Sequence, residues 1–257
     1  MLLRKTLLEG CKNIKKCLST LPLQNIDNTS PEDPRPASSK LDILQHPDYF
    51  NVADMFTIKD LFDARVHLGH KKTSLNENMK PYLFGSRMNH LIFDLNITAN
   101  CLQKALNFAA HVAYKDGVIL FVSRNSQHTL MVERTAAECK EFAITREWKL
   151  GCFTASDKVF GYLVRLPDLC IVLNTLEENG FEHPVVKEAA KMLIPTIAIV
   201  DSNSNPNLVT YPVPGNDDSY VSIKLYCELF KKAILKGKSE RLKHESSTNQ
   251  DKTTATK

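Results

Sequence analysis

The sequence contains no apolar run long enough to cross a membrane. Its longest uninterrupted apolar stretches, 118–122 and 169–173, have five residues each, whereas a membrane-spanning helix needs about 20. The seven cysteines are an odd number, and no two are closer than six positions apart. This spacing excludes a Cys-x-x-Cys zinc or redox motif and predicts reduced thiols rather than a disulfide framework.

Glycine is also sparse, with nine in 257 residues. None follows a predicted strand in the spacing of a dinucleotide- or phosphate-binding loop. Neither the Gly-x-Ser-x-Gly elbow of hydrolases nor the His-Glu-x-x-His motif of metalloproteases occurs. We therefore predict that the protein is not an enzyme, and a nucleotide-dependent enzyme on an α/β fold is the alternative.

One set of possible metal ligands has helical spacing, because Asp63, His67 and His70 are four and three positions apart. Such residues share a face of a continuous helix and could bind a metal ion together. Gly69 should break that helix, however, and the two lysines that follow His70 would repel a cation. We predict no metal and no other cofactor, and we expect the histidines to make local hydrogen bonds or phosphate contacts.

Positive charge is concentrated at the two ends of the chain. Residues 1–47 and 231–257 carry net charges of +2 and +5, whereas residues 48–230 carry −3. A uniformly basic nucleic-acid-binding surface would give a different distribution, so any polyanion must contact the ends or a local patch. One such patch is residues 65–90, where five Lys/Arg accompany a single acidic residue, Glu77.

Aromatic and turn-forming residues alternate with the cations of this patch. Cations on a loop can follow a phosphate backbone while Tyr82 and Phe84 pack inward or stack on bases. A solvated charged loop is the other interpretation, and composition does not decide between the two.

The ends of the chain differ from its middle. Residues 1–26 place apolar side chains at steps of three or four between basic ones, which is typical of a mitochondrial transit peptide; a surface helix is the alternative. Residues 27–53, with several Ser and Pro, are predicted to be a linker. Residues 54–236 form the predicted domain, and 237–257, rich in Lys, Ser and Thr, a basic disordered tail.

Within 54–236, helical patterns alternate with short apolar strands. The predicted strands are 90–95, 118–123, 142–145, 169–174 and 196–200. The predicted helices are 57–68, one capped by Thr98 and ended by Gly117, 126–140, 155–166, one that starts at Pro184, and 217–236. Strands that are apolar throughout are buried on both faces, as in parallel sheets covered by helices. We therefore predict an α/β protein, a three-layer α/β/α sandwich with a mainly parallel sheet.

Seven segments in order resemble the small-subunit ribosomal protein two family in its bacterial and organellar form. They include Val-His-Leu-Gly-His and Asn-Met-Lys-Pro-Tyr-Leu-Phe-Gly-Ser-Arg, and their positions are 66–70, 78–87, 90–98, 117–122, 166–168, 194–204 and 213–218. The resemblance implies a flavodoxin-like sandwich without enzymatic activity. It also implies contacts with small-subunit ribosomal RNA and other small-subunit ribosomal proteins, and neither a membrane nor a small-molecule substrate as partner.

The chain departs from the bacterial pattern in two ways. Bacterial members have a helical hairpin between their tryptophan motif and Leu-Pro-Asp, and the path from Trp148 to Leu166 is too short to contain it. The tryptophan motif itself is altered, as Arg-Glu-Trp-Lys-Leu-Gly-Cys-Phe-Thr-Ala at 146–155. Together with the transit-like start, these departures resemble a mitochondrial member, a structural constituent of the small subunit in the mitochondrial matrix.

The resemblance favours the RNA-binding interpretation of the patch, with phosphate contacts from its lysines and arginines and hydrogen bonds from two histidines. The predicted RNA-binding residues are Arg65, His67, His70, Lys71, Lys72, Lys80 and Arg87. Gly69, Pro81 and Gly85 are predicted to shape the loop of the patch. The residues predicted to set the start of the last helix are Pro214, Gly215, Asn216 and Asp217. The alternatives are the nucleotide-dependent enzyme and a scaffold protein that binds no RNA.

Overall fold

The computed structural model describes residues 46, 48–162, 164–177 and 179–254, with side chains up to residue 246. The predicted transit peptide and most of the predicted linker lie outside the described residues. The linker was nevertheless predicted to extend too far, because Phe50 and Val52 are fully buried in the core. Asp48 fixes this segment, since its carboxylate accepts the backbone N–H of Val52 at 2.7 Å.

The described part of the chain contains eight strands and six α-helices. The strands are β1 (Leu68–Lys71), β2 (Leu83–Arg87), β3 (His90–Phe93), β4 (Ile119–Val122), β5 (Phe142–Ile144), β6 (Leu169–Val172), β7 (Thr196–Val200) and β8 (Tyr211–Pro214). The helices are α1 (Ile58–Asp63), α2 (Leu95–Tyr114), α3 (Thr129–Cys139), α4 (Ser156–Phe160), α5 (Pro184–Lys191) and α6 (Tyr220–Thr254). None of these helices is both long and apolar enough to span a bilayer.

The main sheet has five parallel strands in the order β5-β4-β6-β7-β8. Numbered along the chain, these strands lie in the order 2-1-3-4-5, which is the flavodoxin-like arrangement. Successive residues of β4 point to opposite faces: Ile119 and Phe121 belong to one buried cluster, Leu120 and Val122 to the other. Helices α1, α2, α3 and α6 contribute to the first cluster and α5 to the second. The predicted three-layer α/β sandwich is confirmed.

A second sheet, antiparallel and in the order β1-β3-β2, includes both ends of the segment predicted as a polar loop. Two short 3-10 helices, Lys72–Ser74 and Glu77–Tyr82, connect β1 to β2. The buried side chain of Phe93 joins this small sheet to the second buried cluster, which contains Leu120 and Val122 of the main sheet. The basic patch is therefore an exposed segment, part strand and part 3-10 helix, that the buried Met79 and Phe93 fix to the domain.

The cap predicted for the first long helix is wrong, because α2 begins at Leu95 rather than after Thr98. Asp94 is its N-cap and accepts the backbone N–H of Asn96 at 2.9 Å. Thr98 is buried in the first turn, and its hydroxyl donates to the carbonyl of Asp94. A short polar side chain can either cap a helix or lie in its first turn. The apolar periodicity of this turn was too weak to show which of Asp94 and Thr98 is the cap.

The prediction of a disordered tail is wrong for residues 237–254, because α6 continues to Thr254. Gly237 was interpreted as a helix stop, but it lies inside α6 against α2, where a Cβ atom would overlap the carbonyl of Ala110. Beyond it, Lys238 forms an ion pair with Glu141 and Arg241 one with Asp116. Contacts with the body of the domain, invisible in the local composition, therefore extend the helix.

Between Trp148 and Leu166 the described residues contain only one short helix, α4, so the predicted absence of the bacterial hairpin is confirmed there. The predicted helix 155–166 was too long, because α4 ends at Gly161, whose φ of 77° lies in the left-handed region. The altered tryptophan motif is fixed by Glu188. Its buried carboxylate accepts the indole N–H of Trp148 at 3.3 Å and the backbone N–H of Phe153 at 3.0 Å.

Candidate nucleic-acid interface

The basic patch, residues 65–90, is anchored at the carboxyl edge of the main sheet. The backbone N–H of His70 donates to the hydroxyl of Ser202 at 3.0 Å, and that of Asn76 donates to the Ser202 carbonyl at 2.9 Å. Ser202 follows β7, so β1 crosses the loop at the end of that strand. A Cβ atom on Gly69 would meet the Ser202 hydroxyl at 3.1 Å and the Phe93 ring at 3.2 Å. Glycine at this position therefore permits the close approach of β1.

Asn216 joins the start of the patch to the start of α6. Its backbone N–H donates to the carbonyl of Val66 at 3.2 Å, and its side-chain amide donates to the carbonyl of Arg65 at 3.3 Å. The amide oxygen accepts the backbone N–H groups of Asp218 and Ser219, at 2.9 and 3.2 Å, just before α6 begins. One side chain thus fixes both the turn before the helix and the loop after α1.

Arg65 has an exposed side chain and a left-handed backbone, with φ of 60°. It follows the C-cap of α1, a position at which glycine is usual. Its backbone N–H donates to the carbonyl of Phe62, and that of Val66 to the carbonyl of Leu61, which closes the helix. The side chain of Arg65 stays available to solvent, because the backbone alone makes these contacts.

The two predicted histidines are in different environments. His67 stacks on Phe62, with ring centroids 4.5 Å apart, and burial lowers its pKa. His70 instead lies between carboxylates: Nδ1 is 3.1 Å from Asp201 and Nε2 is 3.4 Å from Asp218. The predicted hydrogen bond from His70 to RNA would have to compete with both aspartates. Sequence reasoning missed this pairing, although the two aspartates follow β7 and β8 at the same edge of the sheet.

The hydrogen bond and negative charge of Asp201, with Asp218 and Asp217, raise the pKa of His70 to about 9 despite its partial burial. Burial, with the negative charges of Asp201 and Asp218, raises the pKa of the buried Asp217 well above its usual value.

The same cluster contains possible metal ligands. His70, Asp201 and Asp218 bring ligand-type atoms within 4.8 Å of one another. In the protonated form of His70 both ring nitrogens are donors, one facing the Asp201 carboxylate and the other that of Asp218. The candidate metal set of the sequence, Asp63, His67 and His70, does not lie on one helical face, because α1 ends at Asp63.

We expect His70 to give the fold a measurable pH dependence. Its folded pKa, about 9, lies above the ordinary 6.5, so its stabilisation is complete below about pH 6.5 and is lost as the pH rises through 9. The side chain is 31% exposed, so we expect a loss of only about 1–2 kcal/mol. Urea denaturation of wild type and His70→Gln measures this. The difference in their unfolding free energies should shrink from pH 6 to pH 9.5, and a constant difference would contradict the ion pair.

Three of the predicted RNA-binding cations, Lys71, Lys72 and Arg87, are exposed and form no ion pair with any carboxylate of the described residues. Lys80 differs, because its ammonium contacts the carboxylate of Glu77 at 2.6 Å. Both partners of that pair are mostly exposed, so the pair is weak and a phosphate could replace Glu77. All four cations belong to one ribbon of chain from β1 to β2: Lys71 and Arg87 lie in these strands, and Lys72 and Lys80 lie in the 3-10 helices between them.

The glycines predicted to shape the motifs differ in whether the structure leaves space for a side chain. A Cβ atom on Gly215 would overlap the Tyr226 hydroxyl, whereas one on Gly85 would meet nothing within 4 Å. Gly85 lies in β2 rather than in a loop, so the structure gives no steric reason for it. Pro81 lies inside a 3-10 helix and Pro214 ends β8.

The position where a doubly wound fold binds ligands, between the carboxyl ends of β4 and β6, is a polar cleft of about 310 Å³. Arg124 and Asn125 line it at the end of β4, and Asn174 lines it after β6. The buried Asn174 is already engaged, since it accepts from the Ser123 hydroxyl and donates to the carbonyl of Asp217. A glycine-rich turn that could hold a phosphate is absent from this β4–α3 connection.

Comparison with known proteins identifies relatives in mitochondria and bacteria. The chain is 52% identical over 199 residues to bovine small ribosomal subunit protein uS2m, which covers 77% of this chain and 68% of the bovine one. It is 34% identical over 230 residues to small ribosomal subunit protein uS2 of Rickettsia felis, covering 72% of this chain and 77% of that protein. The corresponding protein of Rickettsia prowazekii is 35% identical over 230 residues, covering 72% and 76%.

The alignments with Rickettsia occupy 230 positions but use only 72% of this 257-residue chain. The bacterial proteins therefore contain residues that have no counterpart here. The family model of ribosomal protein S2 matches in two parts, residues 61–166 and 160–237, which meet between α4 and β6, where the hairpin is missing. Because that model covers more than half of the chain, including the whole main sheet and the whole basic patch, the chain belongs to the ribosomal protein S2 family.

Proposed function

We propose that the protein is a structural constituent of the small subunit of the mitochondrial ribosome and that its basic patch binds ribosomal RNA. The observation that carries the RNA contact is the set of three unpaired cations, Lys71, Lys72 and Arg87, on one fixed ribbon. The rest of the body is slightly acidic, so this ribbon is its natural contact for a polyanion. Lys80 joins the set when a phosphate replaces Glu77, and Arg65 extends it toward α1.

In this proposal the histidines have a different role from the cations. His70 holds β1 against the carboxyl edge through Asp201 and Asp218, so it positions Lys71 and Lys72 rather than contacting phosphate. His67, stacked on Phe62, remains a candidate hydrogen-bond donor at the margin of the patch. The role of the protein is to bind RNA and neighbouring small-subunit proteins, and it is not an enzyme.

Cosedimentation tests this function. A tagged full-length chain expressed in cells should sediment with the mitochondrial small subunit through a sucrose gradient, and it should leave that position after treatment with ribonuclease. Sedimentation only at the top of the gradient, with the protein folded, would contradict membership of the subunit.

The place of action proposed here is the mitochondrial matrix, reached through residues 1–26. These residues carry five basic side chains and one acidic one on an amphipathic pattern. We expect deletion of residues 1–26 to abolish protease-protected uptake by isolated mitochondria. We expect the folded body to be unaffected, because the core residues of the described part of the chain start at Phe50.

A matched control replaces the five basic residues, Arg4, Lys5, Lys12, Lys15 and Lys16, by Gln and keeps the apolar positions. This variant should lose uptake as the deletion does, because the membrane potential acts on the positive charge. Efficient uptake of a chain that starts at Asn28 would overturn the targeting proposal without affecting the RNA contact.

A further inference from the structure

We propose that the β2–β3 hairpin stacks on unpaired RNA bases through Phe84 and Met88, so that the patch selects single-stranded RNA over duplex. The inference rests on the proposed RNA-binding function and adds to it the class of RNA. It is carried by three features of the hairpin: a β-bulge, a turn with two left-handed residues, and a row of basic side chains.

Phe84 is the extra residue of a β-bulge. Leu83 pairs with Phe93 and Gly85 with Ile92, so β2 advances by two residues while β3 advances by one. A bulge redirects the side chain of its extra residue away from the regular alternation. Phe84 is 81% exposed, whereas the neighbouring Leu83 packs against the second buried cluster. The bulge therefore directs the ring of Phe84 to solvent, away from the position that regular alternation along the strand would give it.

The turn of the hairpin is equally unusual. Arg87 pairs with His90, and the two residues between them, Met88 and Asn89, have φ of 49° and 65°. Two central residues with positive φ define a tight hairpin turn that favours Asn and Gly, and Asn89 fits it. Met88 does not fit, and a residue with a side chain in this region costs free energy that function often explains. The result is a second large apolar side chain, 85% exposed, at the tip.

Charge identifies the partner of this apolar tip as a polyanion. Lys71 of β1 and Arg87 of β2 both pair with His90 of β3, so three basic residues form one row across the sheet. The cations Lys71 and Arg87 lie on either side of His90 in this row, where a phosphate backbone that crosses the sheet could contact both. The backbone N–H of Lys72 donates to the carbonyl of Asn89 at 2.9 Å, which keeps the row next to the turn.

The combination of apolar tip and basic row fits unpaired bases. In an RNA duplex the bases are stacked inside, and proteins contact mainly its phosphates and 2′-hydroxyls. In a single-stranded segment the base faces are free, and aromatic side chains stack on them while cations follow the backbone. Methionine adds a polarisable contact to such a stack. Phe84 and Met88 would contribute only in the single-stranded case.

The experiment measures binding of the full-length chain to two labelled probes of equal length, an unpaired RNA oligonucleotide and a duplex. We expect Phe84→Ser to weaken binding to the unpaired probe roughly 5- to 100-fold, and Met88→Ser to weaken it less. Neither should change binding to the duplex or the dependence on salt. Phe84→Tyr should retain binding, because the ring is kept. The matched control is Phe142→Ser, which removes another exposed ring, 62% accessible, from β5 of the main sheet.

The outcomes separate this inference from the proposed function. Equal loss on both probes, or no loss on either, overturns base stacking. If replacing the cations still reduces the salt dependence, the RNA-binding function stands without it, and if neither class of variant has an effect, both fail. A photo-crosslinker at position 84 in assembled small subunits should capture ribosomal RNA. Capture of a neighbouring protein instead would make the tip a protein contact and overturn the inference.

Discussion

Replacing Lys71, Lys72, Lys80 and Arg87 together by Gln should reduce the salt dependence of RNA binding by about three units. Each phosphate that a cation neutralises releases counterions and contributes roughly 0.7 to 0.9 units to the slope of log affinity against log salt. Four contacts therefore give about three units. At low salt the affinity should fall steeply, whereas at high salt wild type and variant should converge.

The four cations are exposed, so we expect the unfolding free energy to change by under about 0.5 kcal/mol. The variant should fold normally and yet fail to enter the small subunit. A control with the same change of charge replaces four exposed lysines outside the patch and outside α6, Lys104, Lys149, Lys158 and Lys191. If the control flattens the slope as much as the patch variant, or the patch variant assembles like wild type, the RNA contact lies elsewhere and the basic α6 is the next candidate.

Lys80 should contribute least among the four. Its ion pair with Glu77 has to open before it reaches a phosphate, so Lys80→Gln alone should change the slope by less than Lys71→Gln. Glu77→Gln should do the opposite and increase RNA affinity slightly, since it frees the lysine. Single variants titrated against salt measure this order directly.

Gly215→Ala should be the most destabilising small substitution in the motifs. The added Cβ would overlap the hydroxyl of Tyr226 and approach Val66 at 3.0 Å, and Tyr226 is fully buried. Overpacking a core that cannot relax costs about 3 kcal/mol. The loss should appear as a lower midpoint of urea denaturation. Gly85→Ala is the matched control, because its Cβ would meet nothing within 4 Å, and it should leave the midpoint almost unchanged.

Tyr226→Phe should rescue most of that loss. The Tyr226 hydroxyl is buried and has no hydrogen-bond partner among the described residues, so removing it should change stability by less than about 1 kcal/mol. In the double variant the space left by the hydroxyl accepts the new Cβ atom. A double variant as unstable as Gly215→Ala alone would show that the clash is not with Tyr226. Equal loss in Gly85→Ala would show that the effect is not steric at all.

The sequence by itself determined the α/β class and the alternation of strands and helices from β3 to β7, but it missed β1, β2 and β8. Runs such as 118–122 and 169–173 are apolar at every position, and such strands satisfy their burial only between two layers of helix or loop. Seven motifs in order between residues 66 and 218 indicated the family, and the shortened path from Trp148 to Leu166, with the transit-like start, indicated its mitochondrial member. These features are local, so each depends only on residues within a few positions of one another.

Only the tertiary structure decided which of the predicted site residues are available to contact RNA and which are engaged by other parts of the protein. His70 and Ser202 are separated by 132 positions, and no local pattern shows that β1 crosses the loop after β7. The same holds for α6, which continues past Gly237 because that glycine packs on α2. It holds also for Phe84, which is exposed because β2 and β3 pair with one residue out of step. In each case the environment of a residue is set by segments that are distant in sequence and come into contact only after folding. The charge, exposure and role of the residue depend on those contacts.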